Sequence, residues 1–153
     1  MAHRDGDGWI ECTCGSKHWG LNGAAGLLLV RDKKVLLQHR APWVHNGDTW
    51  GIPGGARDSH ESIIEAAARE AHEEVGIQLN SFTPISMHTV SHDLWEYNTV
   101  IARAHDDITT HEMNEESIEV RWVAIESVDE MNLHPSFEKA WPELRTLLFE
   151  SGI

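Results

Sequence analysis

Residues 55–77 read GARDSHESIIEAAAREAHEEVGI, and one helix inside them decides how the rest of the chain must be arranged. Ser62-Ile63-Ile64-Glu65 has the S-x-x-E form of a capping box, in which serine and glutamate side chains each satisfy an orphan N–H of the first turn. The Ala-rich run beyond has high helix propensity, and Gly76 supplies a stop. The pattern predicts a helix from about Ser62 to Val75. On it Ile64, Ala67, Ala68, Ala71 and Val75 fall at helical spacing and form an apolar stripe, so the helix should lie against a sheet. Most of these residues are small, which permits close approach.

Glu70, Glu73 and Glu74 fall within about a quarter of the helix circumference, beside the stripe. A charge run is often only a solvated face. These three, however, stand in the last turn, where the helix dipole disfavours acids and where a sequence chosen for stability would carry Lys. Oxygen-only clusters of this kind suit hard divalent cations such as Mg²⁺ or Mn²⁺, which relieve the repulsion and leave coordination sites for phosphate oxygens. Arg69, four residues before Glu73, can brace a carboxylate.

Outward from this helix, residues 24–30 (AAGLLLV) and 35–39 (VLLQH) flank the polar turn Arg31-Asp32-Lys33-Lys34 and read as a hairpin. Arg40 to Asp48 and Ile52 to Gly55 are rich in turn residues, giving a loop interrupted by at most a short strand. Residues 82–91, 95–103 and 118–124 read as strands, the last alternating Ile118, Val120 and Trp122 with Glu119 and Arg121. A final helix is expected from near Ser136 to Phe149, with a kink or restart at Pro142. Strands with helices on either side predict a layered α/β sandwich with a mixed sheet.

The 153 residues, 41% of them hydrophobic and 24% charged, fit one domain, 1–153, with residues 1–20 as an N-terminal extension or hairpin. A net charge of −13 repels nucleic acid backbones and anionic membranes, while a small polyanion remains accessible through bridging cations. The longest apolar stretch is far short of the roughly 20 residues that span a bilayer. The first fifteen residues lack the apolar centre of a secretory signal, so a cytoplasmic location is expected. Cys12 and Cys14 are too close in sequence for an easy disulfide. With His18 they are competent zinc ligands, but a fourth is missing, and a short hairpin with free thiols is the default expectation.

The pattern G-x5-E-x7-R-E-U-x-E-E-x-G-U, with U a bulky aliphatic residue, is the Nudix box, and Gly55, Glu61, Arg69, Glu70, Glu73, Glu74 and Gly76 match each fixed position. Ala71 is the one soft departure, where a larger aliphatic is commoner. The approach Trp50-Gly51-Ile52-Pro53-Gly54 is also similar to the family's, and the order of elements suits the chain from about residue 20. The resemblance, closest to small antimutator-type (MutT-like) nucleotide pyrophosphohydrolases, implies a Nudix-type α/β/α sandwich with 55–77 as a loop–helix–loop. It implies that Glu70, Glu73 and Glu74, with the Gly55 carbonyl, hold Mg²⁺ or Mn²⁺, that Arg69 and Glu61 orient the ligands, and that water is the nucleophile.

The implied reaction is hydrolysis of a nucleoside diphosphate linked to another moiety. The short chain favours a nucleoside triphosphate, an oxidised one included, cleaved to monophosphate and pyrophosphate; ADP-ribose and dinucleoside polyphosphates are the rivals. Outside the box, Glu116, six residues before Trp122, is the candidate base or extra ligand, with Glu112, Glu115 and Glu119 nearby. Arg40 is similar in position to a phosphate-contacting residue of the family, and Trp43 and Trp50 flank the loop where a base could lodge. Similar folds also include prenyl diphosphate isomerases, which need a pocket cysteine, and non-catalytic nucleotide-binding modules. Homodimers are common among similar proteins.

Overall fold

The structure, a computed structural model, describes residues 4–106, 108, 110 and 117–152. Two short strands, β1 (Trp9–Glu11) and β2 (Lys17–Trp19), pair as an isolated antiparallel hairpin. A seven-stranded mixed sheet follows: β3 (Ala24–Arg31), β4 (Lys34–Arg40), β5 (Trp50–Gly51), β6 (Gly54–Ala56), β7 (Phe82–His92), β8 (Trp95–Ala104) and β9 (Ser117–Ala124). Helix α1 (Ile63–Val75) lies between β6 and β7, and a 3₁₀ turn (Ile125–Glu130) leads to α2 (Pro135–Glu150). The expected mixed-sheet α/β architecture is present.

The expected 31–34 turn joins β3 to β4, with Asp32 and Lys33 both at positive φ, the geometry that matches strand twist in a two-residue hairpin loop. The two strands pair only at Val30↔Val35 and Arg31↔Lys34 before β4 diverges. β8 occupies the other edge of β3 in parallel from Ala24 to Val30, so the vacated edge is taken by β6, antiparallel through Ala24↔Ala56, Ala25↔Gly55 and Gly26↔Gly54. This split in the sheet brings residues 54–56 to the base of α1. β4 continues along β9 over nearly its whole length.

Period-two alternation sends side chains to two separate cores. Ala25, Leu27, Leu29, Leu36, Val100 and Ala102 face α1, where they meet Ala66, Ala67, Ala71 and Val75. Leu28, Val30, Val35, Leu37, Ile101 and Val123 face α2, where they meet Phe137, Trp141, Leu144 and Leu148. Each fully buried Leu contributes about 1.5–3 kcal/mol of transfer free energy, so the three consecutive leucines of β3, all at 0–1% exposure, tie both layers to one strand.

Two expectations need correction. The apolar stripe of α1 runs through Ile63, Ala66, Ala67, Ala71 and Val75, whereas Ile64 is 41% exposed, because the helix is rotated to turn Glu70 and Glu74 inward. Helix α2 passes through Pro142 without a break. Pro142 and Glu138 are both exposed, so the carbonyl that loses its helical donor faces solvent. Among the described residues no helix is long and apolar enough to cross a membrane.

His134 caps α2, its Nδ1 accepting the Ser136 N–H at 3.1 Å. Burial, with the charges of Arg40 and His45, lowers its pKa from 6.5 to about 4. Between those values the unfolded chain binds a proton that the folded chain refuses, so stability falls as pH drops from 6.5 toward 4. For this half-buried group the effect is about 1–2 kcal/mol. His134→Asn keeps a capping acceptor and removes the titration; its melting temperature should fall less steeply than the wild type's across that window, and parallel curves would refute the assignment.

Candidate active site

The capping box forms as the sequence predicts: Ser62 Oγ accepts from Glu65 N at 3.1 Å, and Glu65 Oε1 accepts from Ser62 N at 2.9 Å. Gly76, at φ 73°, ends the helix with its N–H on the His72 carbonyl. With both ends fixed, α1 presents Arg69, Glu70, Glu73 and Glu74 toward the loop 54–61.

The Arg69 guanidinium organises this face. It grips Glu61 in bidentate fashion, Nε to Oε2 at 2.7 Å and Nη2 to Oε1 at 2.9 Å, and donates to the Ala56 carbonyl, to Glu70 Oε1 at 2.9 Å and to Glu73 Oε2 at 3.3 Å. The Arg69 and Glu61 side chains are only 15% and 8% exposed. Their pairing lowers the Glu61 carboxyl below its ordinary range and raises the arginine. Glu61 also accepts from the Asp58 N–H, which pins the loop to the helix.

The three glutamates occupy different depths. Glu74 is 6% exposed; its Oε2 accepts the Gly54 N–H at 2.9 Å and its Oε1 the Gln38 amide at 3.2 Å. Glu70 is partly buried, and loss of water raises its pKa against the pull of Arg69, with Glu73 adding repulsion. Glu73 lies at the rim, held by Arg69 and by Arg4 Nη2 at 2.9 Å. Gly55 packs directly on this cluster: a Cβ there would lie 2.6–2.7 Å from the Glu70 carboxyl atoms. Only a glycine lets the β6 backbone approach the carboxylate so closely.

Three participants were not anticipated from the sequence. Gln38, fully buried on the α1 side of β4, reaches Glu74, and its Oε1 has no hydrogen-bond partner among the described residues. The Tyr97 hydroxyl sits where a Cβ on Gly26 or Gly54 would lie, at 2.1 and 2.6 Å. Burial pushes this phenol upward, with Glu74 and Glu70 adding to the shift, so it stays protonated. Arg4 joins the N-terminal segment to the site through Asp58 at 3.0 Å as well as Glu73. A polar residue at a buried strand position was the available clue for Gln38; Tyr97 and Arg4 come from segments brought in by tertiary pairing.

The residues expected to meet substrate are dispersed. Arg40 donates twice to the His45 carbonyl, closing the 41–48 loop on itself. Trp43, in that loop, is 72% exposed. Trp50 is buried: His39 stacks on its ring at 4.5 Å and the Arg121 guanidinium lies over it at 4.8 Å. Its face contacts are supplied by its own chain. Glu116, with Glu112 and Glu115, lies outside the described residues, and Glu119 pairs with Arg121. Both cysteines lie on the β1–β2 hairpin, where Cys14 Sγ contacts His18.

Comparison with known proteins agrees with this geometry. The NUDIX domain model matches residues 20–145. A Mycobacterium tuberculosis protein named "Putative 8-oxo-dGTP diphosphatase 3" is 45% identical over 153 aligned residues, covering 93% of this chain and 70% of its own. A Bifidobacterium longum nucleoside triphosphate pyrophosphatase/Nudix hydrolase fusion protein is 40% identical over 97% of this chain, which spans 33% of that longer protein. Among solved structures, the M. smegmatis Nudix hydrolase RenU superposes with a TM-score of 0.85 at 43% identity, covering 95% of this chain and 96% of that one. A bracing arginine, three acids at the end of one helix and a glycine pressed against the first of them thus stand in a fold shared with Nudix hydrolases, and the chain belongs to the Nudix hydrolase family.

Proposed function

We propose that this enzyme hydrolyses a nucleoside triphosphate to monophosphate and pyrophosphate with Mg²⁺ or Mn²⁺, and that oxidised purine nucleotides are its substrate class. The observation that carries the reading is the acidic face of α1 at the 54–55 backbone: Glu70 packed against Gly55, Glu74 on the Gly54 N–H, and Glu73 beside them, with Arg69 bracing Glu70 and Glu73. The donor set fits a hard cation: carboxylate oxygens without sulfur or imidazole, one of them raised in pKa by burial, beside a buried amide oxygen with no partner among the described residues. Glu70, Glu73 and Glu74 would hold the ion. When bound, a divalent ion withdraws charge from phosphoryl oxygens and lowers the pKa of water.

The remaining work falls to the chain. Arg69 and Glu61 fix the carboxylates in place, so that little reorganisation is needed during the reaction. The Gly54 N–H and the Gln38 amide orient Glu74, leaving it suited to accept a proton from an attacking water. The Tyr97 O–H, kept protonated, offers a neutral donor beside Glu70 and Glu74. Arg40 and Trp43 are the proposed substrate contacts on the 40–50 loop, with Trp50 supporting that loop from below.

The names of the relatives support the oxidised-purine reading. The test is a comparison of kcat/KM on 8-oxo-dGTP, dGTP, ADP-ribose and a dinucleoside tetraphosphate, with product analysis. The reading expects 8-oxo-dGTP to lead dGTP by at least about tenfold, a difference of about 1.4 kcal/mol, with pyrophosphate released. Preference for ADP-ribose or the dinucleotide would overturn the substrate class while leaving the metal-dependent hydrolysis intact.

A further inference from the structure

The β1–β2 hairpin consists of two three-residue strands, too short to be stable without outside support. Apolar packing gives it little: Trp9 and Trp19 meet edge to face at 5.2 Å, and both remain exposed. Its turn instead gathers soft ligands. Cys12 Sγ, Cys14 Sγ and a ring nitrogen of His18 all lie within 4.8 Å of one another, and Cys14 Sγ is 3.1 Å from His18 Nε2. Tetrahedral zinc, with Zn–S near 2.3 Å and Zn–N near 2.0 Å, requires ligand separations of about 3.5–3.8 Å, a small contraction from this arrangement.

The surroundings are built as they are around metal-bound thiolates. The turn is closed by Cys12 N to Ser16 O and Gly15 N to Cys12 O, both 3.1 Å, with Gly15 at φ 91°. Backbone N–H groups of Cys14 and Leu94 point at the buried Cys12 sulfur, stabilising negative charge on it. The His18 ring is held face to face against Trp95 at 4.4 Å, and Trp95 Nε1 donates to the Trp19 carbonyl, tying the hairpin to β8. On its other flank His92, at the end of β7, brings its ring centroid to 4.5 Å from that of His18. Thr13 bonds the neighbouring Asp93.

We infer that Cys12, Cys14 and His18 form a structural zinc site that fastens the N-terminal hairpin to the β7–β8 turn, with His92 as the fourth ligand once its ring, packed against that of His18, turns toward the sulfurs. Sequence spacing alone lacked the fourth ligand because His92 arrives from a strand pair more than seventy residues away. Sulfur and imidazole donors select zinc, whereas the carboxylates beside Gly55 select Mg²⁺ or Mn²⁺, so the two centres do not compete for one ion.

The full chain, purified untagged and without chelator, should contain one equivalent of zinc by elemental analysis. After exchange with Co²⁺ it should show the visible absorption of tetrahedral cobalt and near-ultraviolet thiolate-to-metal charge transfer. Cys14→Ser and His92→Ala should each lose the stoichiometric zinc while Mg²⁺-dependent hydrolysis persists. Absence of zinc after reconstitution, with both thiols reacting at the same rate whether or not zinc is present, would overturn the site. Zinc retained by Cys14→Ser would do the same, and zinc retained by His92→Ala would overturn the fourth ligand. The wild-type cobalt spectrum decides the matter even if a variant fails to fold.

Discussion

Replacing Glu74 with glutamine is expected to lower kcat about 10³-fold, roughly 4 kcal/mol of transition-state stabilisation, without lowering the melting temperature. The two halves of this result have different causes. The amide is isosteric and can still accept the Gly54 N–H, and its NH2 can donate to the Gln38 Oε1 once that side-chain amide flips, so the helix and its cap are undisturbed. It cannot hold a divalent ion as a carboxylate does, nor take up a proton. Glu74 is 6% exposed, and a neutral amide avoids the desolvation cost that a carboxylate bears at this depth in the metal-free protein. A variant that melts at or above the wild-type temperature yet turns over a thousandth as fast identifies a residue kept for chemistry at a cost in stability. A parallel fall in both quantities would make Glu74 a structural residue.

Arg69→Ala should show the opposite pattern, with large losses of both. Among the described residues the arginine is the cation in ion-pair contact with Glu61, whose carboxylate is nearly buried; stripping it leaves that charge with only the more distant Arg4, at about 3 kcal/mol or more. For a chain of this length that corresponds to a drop of about 6–12 °C in melting temperature. Arg69→Lys should recover little, since an ammonium cannot reproduce the bidentate grip on Glu61 together with the bonds to Ala56, Glu70 and Glu73. The pH dependence carries a further signature. Glu61 is lowered below its ordinary 4.5, so its pairing stabilises the fold above that value and the contribution is lost as pH falls through the depressed pKa. In Arg69→Ala the acid limb of the stability curve should therefore flatten. Equal slopes in variant and wild type would place the stabilisation elsewhere.

These two residues were legible in the sequence because everything that positions them is local. A capping box, an alanine run, a glycine stop and helical periodicity suffice to put Arg69, Glu70, Glu73 and Glu74 on neighbouring sides of one helix. Periodicity could not fix the helix's rotation to within one residue, which is why Ile64 was assigned to the core in place of Ala66. Gln38 and Tyr97 reach the site through the departure of β4 from β3 and the insertion of β6, which are properties of strand pairing; beyond the polar character of Gln38 in an apolar strand they leave no local mark. Trp50 shows the converse limit. An aromatic beside a Gly/Pro-rich loop reads as a stacking platform, but pairing of β5 with β4 lays His39 on its ring. The hairpin that closes over Asp32 and Lys33 was readable, whereas the contact between residues 132–134 and Trp50 depends on how α2 folds back over the sheet.

The account rests on Glu70, Glu73 and Glu74 acting together as a cation site, and titration of the purified protein with Mn²⁺, followed by electron paramagnetic resonance of the free ion, tests it most directly. The wild type should bind Mn²⁺ at submillimolar to millimolar concentration, more tightly with a non-hydrolysable nucleotide present, and Glu74→Gln should bind it at least about tenfold more weakly. Equal Mn²⁺ binding by the wild type and Glu74→Gln, or no binding by the wild type at millimolar Mn²⁺ with nucleotide present, would contradict it.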